Sequence, residues 1–293
     1  MSKLGLPLFD KIKNKVLKKS GVIVMGRVFS PEMLVNFQLF SAGHFAMLGL
    51  FVVLLASIIF FRAKIRTSSL TQNLFRWTFL TILVLSEVTF QIWCFRYGVW
   101  DPTIHIPVQL CSISTFLAIY FLLKPSAERF EFLYYIALIP PLLAIITPDL
   151  LYGFPHYRFS KFFLQHIALP LTVLFYAIVQ GYRPTFTAIW KSALLINVLA
   201  LPIALLNEKI GSNYMFLEGP PITNTPLSWF GDGGWMYILS LAVVTIVVFI
   251  VTYLPFVFIR KATITSYSVG IPLIFVNSIS DYVLFGEHSP NFC

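Results

Sequence analysis

Apolar stretches of 18 or more residues recur about seven times along the chain, separated by short polar connections. They fall at 44–62, 75–97, 105–123, 130–150, 160–181, 186–206 and 235–259. At about 1.5 Å of rise per residue, each is long enough to cross a hydrocarbon core of roughly 30 Å. Lipid offers backbone groups no water, so runs of this length must close their hydrogen bonds internally as helices; barrel strands are shorter and alternate. The pattern predicts an all-α fold, a polytopic transmembrane helical bundle of about seven spans. It places a transmembrane domain at 37–259, a basic N-terminal extension at 1–36 and a C-terminal tail at 260–293. The connections are too short for an extra soluble domain.

Composition sharpens this picture. Hydrophobic residues make up 58% of the chain and charged residues 11%, with mean hydropathy +0.82, whereas soluble domains carry about a quarter charged residues. A water-soluble globule is excluded. The formal net charge of +9 raises nucleic acid as a partner. However, the Lys and Arg residues flank the apolar runs and form no basic face interleaved with aromatics, so membrane lipids are the expected partners. Arg62, Lys64, Arg66, Arg76, Lys124, Arg129, Arg183, Lys191, Arg260 and Lys261 fall in alternate connections. The positive-inside rule then puts the N-terminus outside and the C-terminus inside the cell membrane. Lys11, Lys13, Lys15, Lys18 and Lys19 contradict that orientation. A natural start at Met25 resolves the conflict; a basic amphipathic stretch lying on anionic lipid is the alternative.

No Rossmann, P-loop, HExxH or CxxC pattern occurs, and no cofactor or metal is expected. Candidate chemistry therefore rests on polar residues inside the bilayer, which are costly there and serve as sites or as helix-to-helix links. Glu87, Gln91 and Cys94 share one face of the second span, with Glu87 near mid-membrane as a proton acceptor, a histidine orienter or a neutral link. Cys111, about six residues below the outer end of the third span, shares its face with Ser114 and Thr115. His166 is expected at matching depth in the fifth span, as nucleophile and base require, although a buried cysteine is commonly an inert hydrophobe. Asn197, Gln109 and Ser112 are candidates to hold an oxyanion. Pro170 predicts a kink at His166; Pro140, Pro141 and Pro202 free carbonyls in the next helices. The connection 207–234 reads either as a lid over the outer mouth or as a passive interfacial loop held by Trp229 and Trp235. His44 and His105 read as polar anchors at helix starts. A single bridge between Cys94 and Cys111 is conceivable, while Cys293 has no assigned role.

Several motifs resemble a known family. They are Phe37-Gln38-Leu39-Phe40-Ser41 leading to His44, Ile106-Pro107-Val108-Gln109-Leu110-Cys111, Thr147-Pro148-Asp149, Tyr152-Gly153-Phe154-Pro155-His156, Phe162-Phe163-Leu164-Gln165-His166, Gly181-Tyr182-Arg183-Pro184-Thr185, Gly211-Ser212-Asn213-Tyr214-Met215 and Tyr253-Leu254-Pro255-Phe256. Together, over about 37–258, they resemble the bacterial YwaF-type integral membrane proteins, which are similar to the eukaryotic transmembrane-protein-164 acyltransferases. The resemblance implies cysteine-centred acyl transfer between phospholipids, or lipid hydrolysis, with Cys111 as nucleophile and His166 as its base. Gln109 departs from an expected histidine, and Gly233-Gly234-Trp235-Met236 replaces a Pro-Trp pattern. A transporter or a non-catalytic scaffold are the alternatives.

Overall fold

A computed structural model of the protein describes residues 28–32, 35–221 and 226–269, with side chains up to residue 258. The basic residues 11–19, Met25 and Cys293 lie outside the described residues. The helices run α1 (Ala42–Phe60), a short α2 (Arg62–Arg66), α3 (Ser69–Arg96), α4 (Leu110–Leu123), α5 (Ala127–Ala137), α6 (Ile139–Ile146), α7 (Tyr157–Ile178), α8 (Phe186–Ile210) and α9 (Gly234–Val269). Among the described residues, six helical stretches are long and apolar enough to span a membrane, with α5 and α6 together forming one of them; α4 is shorter at 14 residues. The bundle is therefore all-α and multi-pass, close to the expected seven spans.

Local chemistry sets the helix starts. Ser41, Ser68, Ser126 and Thr185 each accept an amide hydrogen bond within the first turn of α1, α3, α5 and α8, while His156 does so for α7. Gly211, left-handed at φ +68°, closes α8.

Two expected spans are corrected. The third begins at Leu110 instead of 105, because residues 98–109 fold back as a hydrogen-bonded turn with Gln109 as the N-cap. The fourth breaks at Leu138, because Pro140 and Pro141 cannot donate to the carbonyls of Ile136 and Ala137. The Ser114 hydroxyl of α4, 2.8 Å from the Leu110 carbonyl of its own helix, also reaches the Ile136 carbonyl at 3.1 Å, so this freed acceptor shares a donor on a neighbouring helix. The last helix passes the expected 259 boundary and continues to Val269.

The helix α7 is the axis of the bundle. It packs against α1, α3, α4, α5 and α6, and 72% of its most apolar window is buried, against 6% for α9. The outer helices present Val52, Leu70, Leu201, Leu205 and Val247 outward, a surface suited to lipid. The connections 61–68, 124–126 and 179–185, with their Lys and Arg residues, gather at one end, called here the basic end. The connections 97–109 and 147–156, with 211–221 and 226–233, gather at the other, the loop-rich end.

The loop-rich end is tied together closely. Tyr214, fully buried, donates to the Pro102 carbonyl at 2.7 Å and accepts from the Ile106 amide at 2.9 Å. Asn207 binds both the amide and the carbonyl of Tyr214, and Met215 donates to Gln109 Oε1 at 2.9 Å. The segment 211–217 is thus pinned over the start of α4. Residues before the bundle join this end: Phe29, Ser30 and Pro31 supply carbonyls to Trp93, His156 and Tyr152. An isolated antiparallel bridge pairs Asn36 with Tyr152, and a Cβ on Gly153 would lie 2.8 Å from the Asn36 carbonyl oxygen.

Candidate functional site

Polar side chains of α3, α4 and α7 converge beneath the loop-rich end. Gln165 of α7 donates to Glu87 Oε1 of α3 at 2.6 Å and to Thr115 Oγ1 of α4 at 2.8 Å. Thr115 in turn donates to the Cys111 carbonyl at 2.8 Å. Three helices are thereby cross-linked through one amide. Glu87 sits within this network, bonded to Gln165 and not to His166, so its arrangement is that of a helix-to-helix link.

The Thr115–Gln165 bond also fixes register. Both α4 and α7 run from the loop-rich end toward the basic end, so one turn above this bond Cys111 lies level with Lys161. Lys161 is within electrostatic reach of Cys111 and Glu87. The expected depth match of Cys111 with His166 is different in the structure: Cys111 is the second residue of α4, whereas His166 is the tenth of α7. Among the described residues no hydrogen bond joins them. The error follows from the late start of α4, which Pro107 and the capping position of Gln109 signalled.

That late start has chemical consequences. The first turn of a helix leaves amide N–H groups without intrahelical acceptors, and the positive end of the helix dipole points there. Cys111 therefore stands among free donors at the mouth of α4, next to Ser112. Cys94 and Cys111 are both free thiols, so the conceivable bridge between them is absent.

His166 is buried, and its Nδ1 lies 2.7 Å from the Phe162 carbonyl. A carbonyl only accepts, so Nδ1 carries the proton and Nε2 is left as the basic nitrogen. Nε2 makes no hydrogen bond among the described residues. His44 differs: its Nε2 meets the Ile145 carbonyl at 2.8 Å and its Nδ1 accepts from Phe40. His105 Nδ1 accepts from Asp101, and burial holds this histidine below its ordinary pKa, as does Arg158 nearby. Both behave as anchors in the loop-rich end.

The remaining candidates divide. Gln91 donates to the His105 carbonyl and accepts from Trp100, which commits it to the 98–109 turn. The Asn197 amide is held by the Ala193 carbonyl of its own helix at 2.8 Å. Gln109 uses Oε1 to hold the segment over α4. Ser112 has a half-buried hydroxyl beside Cys111 with no hydrogen bond among the described residues.

Sequence reasoning missed Arg158, Lys161 and Gln165 as site residues. Cations at the edge of an apolar run ordinarily mark topology, yet 158, 161 and 165 recur at i, i+3 and i+7, one face of α7. That face meets Glu87, Phe90 and Trp93 of α3. Among the described residues no three His, Cys, Asp or Glu side chains are placed to share a metal ion.

A multi-pass helical bundle with a polar cluster enclosed near one membrane end defines an integral membrane protein with an intramembrane site. The family model described as the TMEM164 family matches residues 39–253, and the chain belongs to that family. No curated protein and no solved structure matches the chain.

Proposed function

We propose that the protein is an intramembrane acyltransferase or lipid hydrolase of the cell membrane, acting on phospholipid acyl chains with Cys111 as nucleophile and His166 as base. The observation that carries this reading is the position of Cys111. It is a free thiol in the first turn of α4, level with Lys161 and beneath a pinned segment. The tautomer of His166, with an unoccupied Nε2, supports the second role.

The Cys111 sulfur attacks the ester carbonyl of a lipid as its proton passes to His166 Nε2, giving a tetrahedral intermediate. Its oxyanion faces the free amides of α4 and the Ser112 hydroxyl, both suited to developing negative charge. Collapse breaks the C–O bond, and His166 protonates the departing lysolipid alkoxide, leaving a thioester on Cys111. A second lysolipid hydroxyl, or water, then attacks the thioester with His166 again as base, and Cys111 is restored. The register sets Cys111 more than one turn from the level of His166, so the scheme requires substrate binding to bring Nε2 to the thiol.

A thiol-reactive, lipid-like probe tests this on the purified protein in lipid, with mass spectrometry to locate the adduct. Saturable labelling at Cys111 that collapses in His166→Ala, together with Cys111-dependent exchange of acyl chains between phospholipids, is expected. Normal acyl exchange by inserted Cys111→Ser protein would exclude the scheme.

One observation favours transport as a second reading: the buried Glu87, Gln165 and Thr115 network spans three helices within the bundle. Solute uptake into proteoliposomes lost in Glu87→Gln, with no acyl exchange by the wild type, would select it.

A further inference from the structure

Two cations at the top of α7 are placed where a folded protein gains little from them. Arg158 is the second residue of α7 and Lys161 the fifth. A helix N-terminus favours anions, so both oppose the dipole of their own helix. One turn apart, they also face each other as like charges, and each lies over the same ring: the Arg158 guanidinium 4.5 Å and the Lys161 ammonium 4.6 Å from the centroid of Phe90. Trp93 and Tyr152 complete an aromatic wall around Arg158 at 5.5 and 5.4 Å.

Neither cation has an ionic partner within the described residues. No carboxylate lies within 4.0 Å of either, and no hydrogen bond engages the five guanidinium donors or the three ammonium donors. Glu87 is within electrostatic reach of Lys161, but its carboxylate is held by Gln165. Both side chains are half-buried, which makes unpaired charge expensive. The basic end shows what this chain otherwise does with arginine: Arg66 donates to the Ile178 and Val179 carbonyls, and Arg76 to those of Leu122 and Leu123.

We infer that Arg158 and Lys161, against the Phe90, Trp93 and Tyr152 wall, bind the phosphate group of the phospholipid substrate. This assignment rests on the function proposed above and names the group that the site recognises. A guanidinium fork and a mobile ammonium are a matched pair for phosphate oxygens, and the α7 N-terminus adds its dipole to the same charge. Register links the two halves of the site: with its headgroup at Lys161, a lipid places its ester region near Cys111, one helix across at the same level. The aromatic wall lends apolar surface to the choline or ethanolamine side and the glycerol, as rings do at membrane interfaces.

Binding to the full-length protein in detergent micelles decides this, with labelled lysophosphatidylcholine as probe and monoacylglycerol and inorganic phosphate as comparisons. Arg158→Gln and Lys161→Gln should each weaken lysophosphatidylcholine binding by about tenfold, with little change for monoacylglycerol. Arg158→Lys should restore part of the loss. Exposed Lys64→Gln, at the basic end, should leave binding at the wild-type level. Equal binding of lysophosphatidylcholine by wild type and a folded Arg158→Gln/Lys161→Gln double variant would overturn the assignment. Phosphate binding without phospholipid binding would assign the cations to a soluble anion and overturn the headgroup assignment. The two readings separate cleanly: charge-dependent binding without Cys111-dependent turnover defeats only the catalytic proposal. Turnover that is indifferent to both cations defeats only this one.

Discussion

The two ends of the bundle use the same cationic side chains in opposite ways. At the basic end Arg66 and Arg76 terminate α7 and α4, donating to their last carbonyls at 2.6 to 2.9 Å. There the dipole, the unpaired carbonyls and the charge all agree. At the loop-rich end Arg158 and Lys161 begin α7, meet aromatic faces instead of acceptors, and oppose the dipole. Beneath the first pair lies an aromatic core of Phe121, Phe130, Phe175, Tyr176 and Tyr182. Beneath the second lies the Glu87, Thr115 and Gln165 network. One end is arranged for stability; the other holds unsatisfied chemistry, as functional sites do.

The largest test of this contrast is in the aromatic core. Phe121 is fully buried against Phe130, Tyr176 and Tyr182, so Phe121→Ala should cost about 3 kcal/mol in unfolding measured in detergent. A much smaller loss would show that the basic end is not the stable half. Next in size, Arg76→Met removes two charged hydrogen bonds from the end of α4 and should cost about 2 kcal/mol. Arg158→Met sharpens the comparison: it trades an unpaired cation for an apolar chain and should stay within about 1 kcal/mol of wild type. If Arg158→Met proved the more destabilising of the two arginine variants, the cation would be structural and the contrast would collapse.

The smallest effect is a pH dependence confined to the loop-rich end. Burial depresses His105 and His156 from the ordinary histidine value of 6.5, and Arg158 faces both; Asp101 faces His105 and partly offsets the depression. A lowered folded-state pKa means that the unfolded chain takes up protons first as pH falls. Stability from these groups is therefore complete above about 6.5 and declines below it, toward the folded-state pKa. Protection factors, taken relative to the intrinsic exchange rate at each pH, should fall at 101–106 and 211–217 as pH drops from 7.5 to 5.5, while those of α5 stay constant. Uniform loosening of both ends would remove the histidines as the cause.

Much of the architecture was readable from hydropathy, because lipid leaves helices as the only solution for long apolar runs. The eighth helix starts at Phe186, where its apolar run begins. Hydropathy fails where backbone chemistry overrides it. Residues 105–109 are apolar enough to extend α4, yet Pro107 and the cap at Gln109 delay the helix to Leu110. The site was legible only in part. Glu87 stands out as a lone acid in an apolar run, and Cys111 and His166 as rare reactive types. Which side chain lies opposite Cys111 depends on the register of α4 against α7, set by the single Thr115–Gln165 bond. Neither partner of that bond carries charge, and no local pattern marks it. Lys161 escaped notice for a different reason: near a helix end, lysine is normally a statement about topology.

The bond from Ser114 to the Ile136 carbonyl has a consequence for how the protein is made. Pro140 strips that carbonyl of its own helix's donor, and hydrocarbon supplies no substitute. The broken span can settle only beside a helix that already offers a hydroxyl at the right depth. α4 precedes Pro140 in the chain, so in N- to C-terminal synthesis the donor is made before its acceptor is freed. Order of synthesis thus does work that the finished bundle no longer displays.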